Sequence, residues 1–304
     1  MTKRRKSFTL VELLIAIGLL SLIMMLLLQL FSGAQKIWTS SEKTNNVYTD
    51  ARVAMELMAD ELNTVQFSCG EKVDAQGAAV RDPDKDMIFS LDTEEGTDND
   101  SCSVIFAAKR ARDDNAIRFV SFRRGSGDDH DKLLMLVYSR KINERNFYGF
   151  FPPYKNHGSK RDTALSNLKS TINGLISTDD TEFCQVIAEN VVAFKLTAYR
   201  LTPVTTDADG NITGGGELLK MTAEYTIDGT SVKCKPGDVR EPPYMIEIQL
   251  TLLDHDSFGR WNDISDTTAK KNYLKQHQRT FTRNVYLGDR WALEKKALSG
   301  STGN

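Results

Sequence analysis

Residues 6–31 read Lys-Ser-Phe-Thr-Leu-Val-Glu-Leu-Leu-Ile-Ala-Ile-Gly-Leu-Leu-Ser-Leu-Ile-Met-Met-Leu-Leu-Leu-Gln-Leu-Phe. From residue 13 to residue 31 the only polar side chains are those of Ser21 and Gln29. A helix over these residues extends about 29 Å at about 1.5 Å per residue, which matches a hydrocarbon core of about 30 Å. The stretch therefore predicts a transmembrane helix.

The flanks of this apolar run predict its orientation. Four consecutive basic residues occupy positions 3–6, and no comparable basic cluster follows the run. Because basic flanks stay on the cytoplasmic side of a membrane, we expect a cytoplasmic N-terminus. Everything after about residue 32 would then be exported, which places a single-pass protein in the bacterial inner membrane with a periplasmic or extracytoplasmic domain.

Glu12 is the exception in this pattern, because it places a carboxylate at the start of an apolar helix. Burying such a charge in lipid costs up to about 3 kcal/mol, and less near the interface than at the centre. Two interpretations remain open. Glu12 either lies among the headgroups and interacts favourably with the positive end of the helix dipole, or it has a specific cationic partner.

Residues 6–16 resemble the class III signal sequence of type IV pilins and type II secretion pseudopilins. In that family a prepilin peptidase cuts before the Phe and methylates the new amine. The resemblance implies cleavage between Ser7 and Phe8, methylation of Phe8, and the family's fifth-position glutamate at Glu12. The family normally has Gly before the cut. Ser7 is small, so a pocket that excludes bulk can still accept it.

Removal of the leader would give Glu12 a partner. The new α-amino group of Phe8 is cationic and lies in or near lipid, where an unpaired charge is costly. A carboxylate one helical turn away, on the same or a neighbouring subunit, neutralises it and fixes the stagger between subunits. The implied partners are other pilins or pseudopilins, the prepilin peptidase and the membrane.

An ordinary secretory signal peptide is the alternative for this segment, since Ser32-Gly33-Ala34 resembles a signal peptidase site. The apolar run is longer than the usual core of such a signal, which has about 7 to 15 residues. The mature N-terminus separates the readings: Phe8 for pilin processing, Gln35 for a signal peptide, and Met1 for no cleavage.

The helix is predicted to continue beyond the membrane. Residues 36–65 contain no Pro, and their apolar side chains recur at steps of three and four, which is typical of one buried helical face. A break at Asn45-Asn46 is the one interruption that the pattern allows. The apolar positions are Val47, Ala51, Ala54 or Met55, Met58, Leu62 and Val65.

After residue 66 the composition changes to β-branched and aromatic runs separated by polar turns. Alternation of apolar and polar residues predicts antiparallel sheet with one buried face. Helices are expected at residues 162–172 and 265–278. The predicted strands cover residues 87–91, 104–108, 117–122, 133–139, 191–200, 219–227, 245–253 and 280–287.

The predicted fold class is therefore α+β, with a long pilin-like helix, transmembrane and then amphipathic, packed on an antiparallel sheet domain. The predicted segments are a leader (1–7), a transmembrane half-helix (8–31), an amphipathic half-helix (32–66), an exported β-rich domain (67–293) and a disordered tail (294–304).

Several strings resemble the minor pseudopilin J family more narrowly, and they lie at residues 51–62, 186–199, 242–252 and 281–287. That resemblance implies a structural subunit at the tip of the pseudopilus of a type II secretion-like machine. Two alternatives remain: a minor pilin of an adhesion, motility or DNA-uptake pilus, and a membrane-anchored extracytoplasmic binding protein or hydrolase.

Nothing in the composition favours a nucleic-acid partner, since 39 basic residues nearly balance 41 acidic ones. No GxSxG, P-loop, HExxH or GxGxxG string occurs, so no enzyme is expected.

No cofactor is expected either. Asp207, Asp209 and Asn211 resemble the opening of a calcium loop, but the tip of a hairpin explains the same residues equally well.

No CxxC pair occurs among the four cysteines, Cys69, Cys102, Cys184 and Cys234, so their spacing does not predict a zinc site. In an exported domain they permit one or two disulfides, with three full pairings that the sequence does not choose between.

Overall fold

A computed structural model gives the structure of the chain. It describes residues 10–66, 70–73, 75–77, 79–82, 87–93, 102–109, 117–125, 127–140, 144–152, 154–158, 160–177, 183–202, 205–207, 211–221, 224–227, 230–233 and 243–288. The chain divides into two compact units, Met1–Tyr48 and Thr49–Asn304, and the boundary falls within the first helix.

The first helix, α1, spans Leu10–Asn63 without a break. Its 54 residues contain no Pro, and at about 1.5 Å per residue they extend about 81 Å. The Asn45-Asn46 pair does not interrupt it, so the prediction of one continuous helix is confirmed.

Within the second unit, one face of α1 is buried and the opposite face is exposed. Ala51, Ala54 and Met58 are at most 1% exposed, whereas Val53 is 57% exposed. The predicted apolar face is therefore confirmed. Steps of three and four bring these side chains to one side of the helix, so their burial holds α1 against the β-rich core.

Backbone contacts fix the point where α1 ends. The amide of Gln66 donates to the carbonyl of Ala107 at 2.8 Å, and the amide of Lys109 donates to the carbonyl of Thr64 at 3.0 Å. Val65 forms an antiparallel bridge with Ala108. The chain thus leaves the helix by joining a strand directly, which leaves little freedom at this junction.

Antiparallel strands form two main sheets and three two-stranded ribbons in the described part of the chain. The strands are β1 Gly70–Val73, β2 Ala79–Asp82, β3 Phe89–Thr93, β4 Cys102–Lys109, β5 Ile117–Arg124, β6 Leu133–Tyr138, β7 Cys184–Ala188, β8 Val191–Leu201, β9 Thr205–Thr206, β10 Ile212–Gly214, β11 Leu218–Lys220, β12 Glu224–Ile227, β13 Thr230–Lys233, β14 Met245–Leu252 and β15 Arg279–Tyr286.

The larger sheet has five strands in the order β3-β4-β5-β6-β7, so each strand pairs with its neighbour in sequence. The smaller sheet has the order β11-β8-β14-β15. On β14, Ile246, Ile248 and Leu250 are fully buried, while Glu247 and Gln249 between them are half-buried. This alternation confirms the predicted antiparallel sheet with one apolar face.

Within the described residues, four further α-helices accompany the sheets: α2 Glu144–Phe147, α3 Arg161–Ser177, α4 His255–Asp263 and α5 Thr267–His277. The buried side of α3, including Leu168, packs in one cluster with Phe119 and Tyr138 of the larger sheet. The rings of Phe119 and Phe147 meet edge to face at 5.8 Å between centroids. These contacts give the larger sheet an aromatic core on its helix-covered face.

One predicted strand is wrong. Residues 219–227 were expected to form a single strand, but β11 pairs with β8, whereas β12 pairs with β13 in a separate ribbon. Ile227 lies opposite Thr230, so only Asp228-Gly229 separates the two strands. An Asp-Gly pair favours a two-residue hairpin turn, and local hairpin pairing ends the ladder with β8.

Candidate functional site

The apolar half of α1 is exposed on every side. All residues from 10 to 43 are exposed, and the helix is long and apolar enough to cross a membrane. A core helix of a soluble domain would also be apolar, but it would be buried. Since none of the most apolar window is buried, its side chains are available to lipid or to other helices. This exposed apolar surface is typical of a helix that spans a membrane.

The polar groups inside this segment are partly satisfied by the helix itself. The hydroxyl of Ser21 donates to the carbonyl of Ile17 at 2.8 Å. Such back-bonding lets a Ser lie in lipid without an unpaired donor. Ser21 therefore does not interrupt the apolar surface.

Glu12 lies in the first turn of α1, at the N-terminal edge of the apolar run. A carboxylate at this position interacts favourably with the helix dipole, whose positive end is at the N-terminus. Ser7 and Phe8, the predicted processing residues, lie outside the described residues. The geometry between the Phe8 amine and Glu12 thus remains a prediction.

Asp207 and Asn211, the described members of the calcium candidate, bond to each other across the β9–β10 connection. The amide of Asn211 donates to Oδ1 of Asp207 at 2.8 Å, and its side chain Nδ2 donates to Oδ2 at 3.1 Å. Both carboxylate oxygens thus stabilise the hairpin. Asp209 lies outside the described residues.

Cys102 is buried on β4 and Cys184 is half-buried on β7, and the two are not joined by a disulfide. A Cys102–Cys184 disulfide, one of the pairings that the sequence permits, is therefore not formed. Cys69 and Cys234 lie outside the described residues, so the pairings that involve them stay predictions. Burial lowers the pKa of the neighbouring Arg123, while the charge of Cys184 opposes that change. The side chain of Arg123 also donates to Asn173 on α3 at 2.5 Å, which connects the sheet to the helix above it.

A compact polar turn joins β5 to β6. Burial lowers the pKa of Arg124, against the opposing charge of Asp131, and Nε of Arg124 donates to the carbonyl of His130 at 2.5 Å. Asp129 raises the pKa of Lys132 through a hydrogen bond of 2.6 Å. Because each of these side chains bonds to another group of the same turn, local structure explains the pKa shifts.

A metal-binding arrangement would need several ligands close together. In the ranges that the structure covers, no group of three or more His, Cys, Asp or Glu side chains is placed to hold a metal ion. The described residues give no positive evidence of catalysis.

One strong interaction was not foreseen from the sequence. Glu61, 7% exposed near the end of α1, forms an ion pair with Arg118 on β5, 57 residues later. Sequence spacing cannot reveal a pair so far apart. The sole local signal is an acidic residue on the otherwise apolar face of the helix.

Comparison with known proteins agrees with the anchor. Residues 2–28 match the family model of the prokaryotic N-terminal methylation motif. The match includes Ser7, Phe8 and Glu12 and most of the apolar run, and it supports a type IV pilin-like protein whose N-terminal helix is its membrane anchor. No curated protein and no solved structure matches the chain.

Proposed function

We propose that the chain is a minor pseudopilin, a structural subunit that assembles into the pseudopilus tip of a type II secretion-like machine. The observation that carries the proposal is the methylation motif at residues 2–28 on a helix that is exposed throughout its apolar half. A domain of two antiparallel sheets follows that helix, and several of its strands carry the J-type strings. The protein acts as a building block and catalyses no reaction.

Assembly begins with processing at the inner membrane. The basic residues at positions 3–6 keep the N-terminus cytoplasmic, while the β-rich domain is exported to the periplasm. Prepilin peptidase cuts between Ser7 and Phe8 and methylates the new amine of Phe8. The cleaved subunit remains anchored by residues 13–31, whose leucine and isoleucine side chains favour lipid.

Glu12 then directs the subunit into the filament. Its carboxylate pairs with the Phe8 amine of an adjacent subunit, so two charges that would each be costly alone in a low-dielectric environment compensate each other. The pairing is possible at one stagger of the helices only, so it also sets their register. Apolar surface exposed along α1 supports the same step, since neighbouring helices can replace lipid around it.

A substitution at Glu12 tests this proposal. Glu12→Ala should leave the protein in the membrane, because the change makes the span more apolar. Co-purification of cross-linked partners that carry the same N-terminal motif should fall by about tenfold or more, as expected for the loss of a buried ion pair.

The matched control is Glu42→Ala, which removes the same side chain from an exposed position on the same helix outside the apolar run. This variant should co-purify with partners as the wild type does. If Glu12→Ala retains its partners at the wild-type level, the assembly role of Glu12 is wrong and an isolated anchored protein is the better reading.

A further inference from the structure

The exposed surface of α1 does not stop at the end of its apolar run. Ile37 and Trp38 are 73% and 74% exposed, which makes them as accessible as the residues within the run. Lys36 directly precedes them and is also exposed. A largely exposed Trp beside a largely exposed Ile is costly in water, because a large apolar surface stays hydrated.

The position of Trp38 continues the lipid-facing surface. Trp38 follows Phe31 by seven residues, and at about 3.6 residues per turn the two side chains lie on the same side of the helix. Phe31 is itself 62% exposed, at the end of the apolar run. Ile37 follows Leu30 in the same way. The surface of Leu30 and Phe31 is thus extended by two turns.

Distances along the helix place this group at a membrane boundary. From Glu12 to Trp38 there are 26 helical steps, which correspond to about 39 Å at about 1.5 Å each. A bilayer with its headgroups is about 40 to 45 Å thick. When Glu12 lies at one polar boundary, Lys36 and Trp38 therefore lie at the other.

The chemistry of these two side chains suits that boundary. Tryptophan is enriched at membrane interfaces, where its ring contacts acyl chains and its indole N–H remains hydrated. A lysine there extends its ammonium towards phosphate while its methylene stem stays in the apolar zone. Helical side chains also lean towards the N-terminus, which brings the Trp38 ring back towards the apolar run.

We propose that Lys36, Ile37 and Trp38 form an interfacial anchor that binds the headgroup region of the leaflet opposite the N-terminus. The inference rests on the proposed function, because it requires α1 to span the bilayer. It adds a second fixed point to the helix besides Glu12. The anchor sets how deep the subunit lies before assembly, and its contacts with lipid must be released when the subunit enters a filament.

Fluorescence quenching in lipid vesicles tests the anchor with the full chain. The protein is reconstituted into phosphatidylcholine–phosphatidylglycerol vesicles whose phosphatidylcholine carries bromine either near the headgroup or near the chain end. The chain has three Trp residues, so subtracting the signal of Trp38→Phe isolates the emission of Trp38. We expect shallow bromines to quench this emission at least about twofold more than deep ones.

A second variant separates the anchor from the span itself. Leu22→Trp in the Trp38→Phe background places the ring at the middle of the apolar run, where deep bromines should quench most. If Leu22→Trp is quenched but Trp38 is not, the span stands and the anchor is overturned, with Trp38 facing water or another protein. If neither is quenched, the membrane anchor of the proposed function fails as well.

Lys36 is tested in the same vesicles. Lys36→Glu introduces repulsion from anionic headgroups, so quenching of Trp38 by shallow bromines should fall by about twofold. Lys43→Glu makes the same charge change further along the helix and should leave the quenching in place. Equal quenching in the wild type and Lys36→Glu would remove Lys36 from the anchor.

Discussion

Glu61 on α1 and Arg118 on β5 form a largely buried ion pair, in which Nη2 of Arg118 lies 2.5 Å from Oε2 of Glu61. The two side chains are only 9% and 13% exposed. The pair lies next to the backbone bonds that join Thr64 and Gln66 to β4. The end of α1 is therefore held to the larger sheet by charge as well as by backbone hydrogen bonds, within the second unit of the chain.

Replacing one partner should be strongly destabilising. Glu61→Gln leaves the guanidinium of Arg118 charged and without its carboxylate, so the free energy of unfolding should fall by about 3 to 5 kcal/mol. Urea unfolding of the full chain in detergent micelles, followed by fluorescence, measures the loss. The double variant Glu61→Gln/Arg118→Gln should recover part of it, because no unpaired buried charge remains.

Arg52 and Glu56 provide the control on the same helix. They also form an ion pair, at 3.0 Å, but their side chains are 79% and 49% exposed. Water screens such a pair, so Glu56→Gln should cost less than about 1 kcal/mol. Equal losses for Glu56→Gln and Glu61→Gln would contradict the importance of burial for the Arg118 pair.

Tyr138 offers a prediction of the opposite sign. Its side chain is 1% exposed, and its hydroxyl has no hydrogen-bond partner among the described residues. An unsatisfied buried hydroxyl is a cost of about 1 to 3 kcal/mol, so Tyr138→Phe should leave stability unchanged or raise it. The same unfolding assay measures the effect, with Tyr286→Phe at a 59% exposed position as control. A loss above about 1 kcal/mol would show that the hydroxyl is bonded.

The burial of Tyr138 also predicts how the stability of the protein depends on pH. Burial raises the pKa of Tyr138 in the folded state, so above about pH 10 the unfolded chain loses this proton first. The contribution of the neutral Tyr138 is complete below that pH and is lost as the pH rises through the folded pKa. The free energy of unfolding of Tyr138→Phe should therefore decrease less steeply with rising pH than that of the wild type. The check is urea unfolding of both proteins at a series of pH values. Stabilities that decrease in parallel for the two proteins would contradict this prediction.

The sequence predicted the parts of the fold that depend on local periodicity. The face of α1 follows from steps of three and four, and seven of the eight expected strands follow from β-branched and aromatic runs between polar turns, some of them alternating. A chain expresses both patterns within a few residues. β7 was missed, because Gln185 and Val186 are both exposed at the edge of the sheet and give no alternation. α4 was missed too, although Asp254 caps it by accepting from the amide of Ser257.

At the candidate site, too, the sequence revealed local features but no long-range contacts. The motif around Glu12 could be recognised because its residues are contiguous, and the family match at residues 2–28 supports a type IV pilin-like protein. The role of Glu12 itself stays a prediction. The Glu61–Arg118 pair could not be predicted from the sequence, since it depends on how β5 comes to lie beside α1. Long-range pairing of this kind is a property of the packed structure and leaves no periodic trace in sequence.

Asn190 permits a test of the passage between the two sheets. It lies between β7 and β8 with a φ of 56°, the single positive φ among described residues other than glycine. Its carbonyl accepts from the amide of Leu253 at 3.1 Å. Asn190→Val should cost about 1 to 2 kcal/mol, because a β-branched residue is strained in the left-handed region. Asn190→Gly should unfold at nearly the same urea concentration as the wild type; a large loss in this variant would show that the side chain, not the backbone, decides.

Ser7 gives the prediction on processing. The methylation motif normally has Gly before the cut, and a peptidase pocket shaped for Gly should hold the hydroxymethyl group of Ser less well. Ser7→Gly should therefore raise the fraction of chains that begin at Phe8, as measured by intact mass and N-terminal sequencing of protein from native membranes. Ser7→Phe should abolish cleavage, because its ring cannot enter a pocket that excludes bulk. Chains of Ser7→Phe that still begin at Phe8 would show that this pocket does not select by size. If all wild-type chains begin at Met1, no Phe8 amine is formed, and Glu12 then lacks the partner proposed for it.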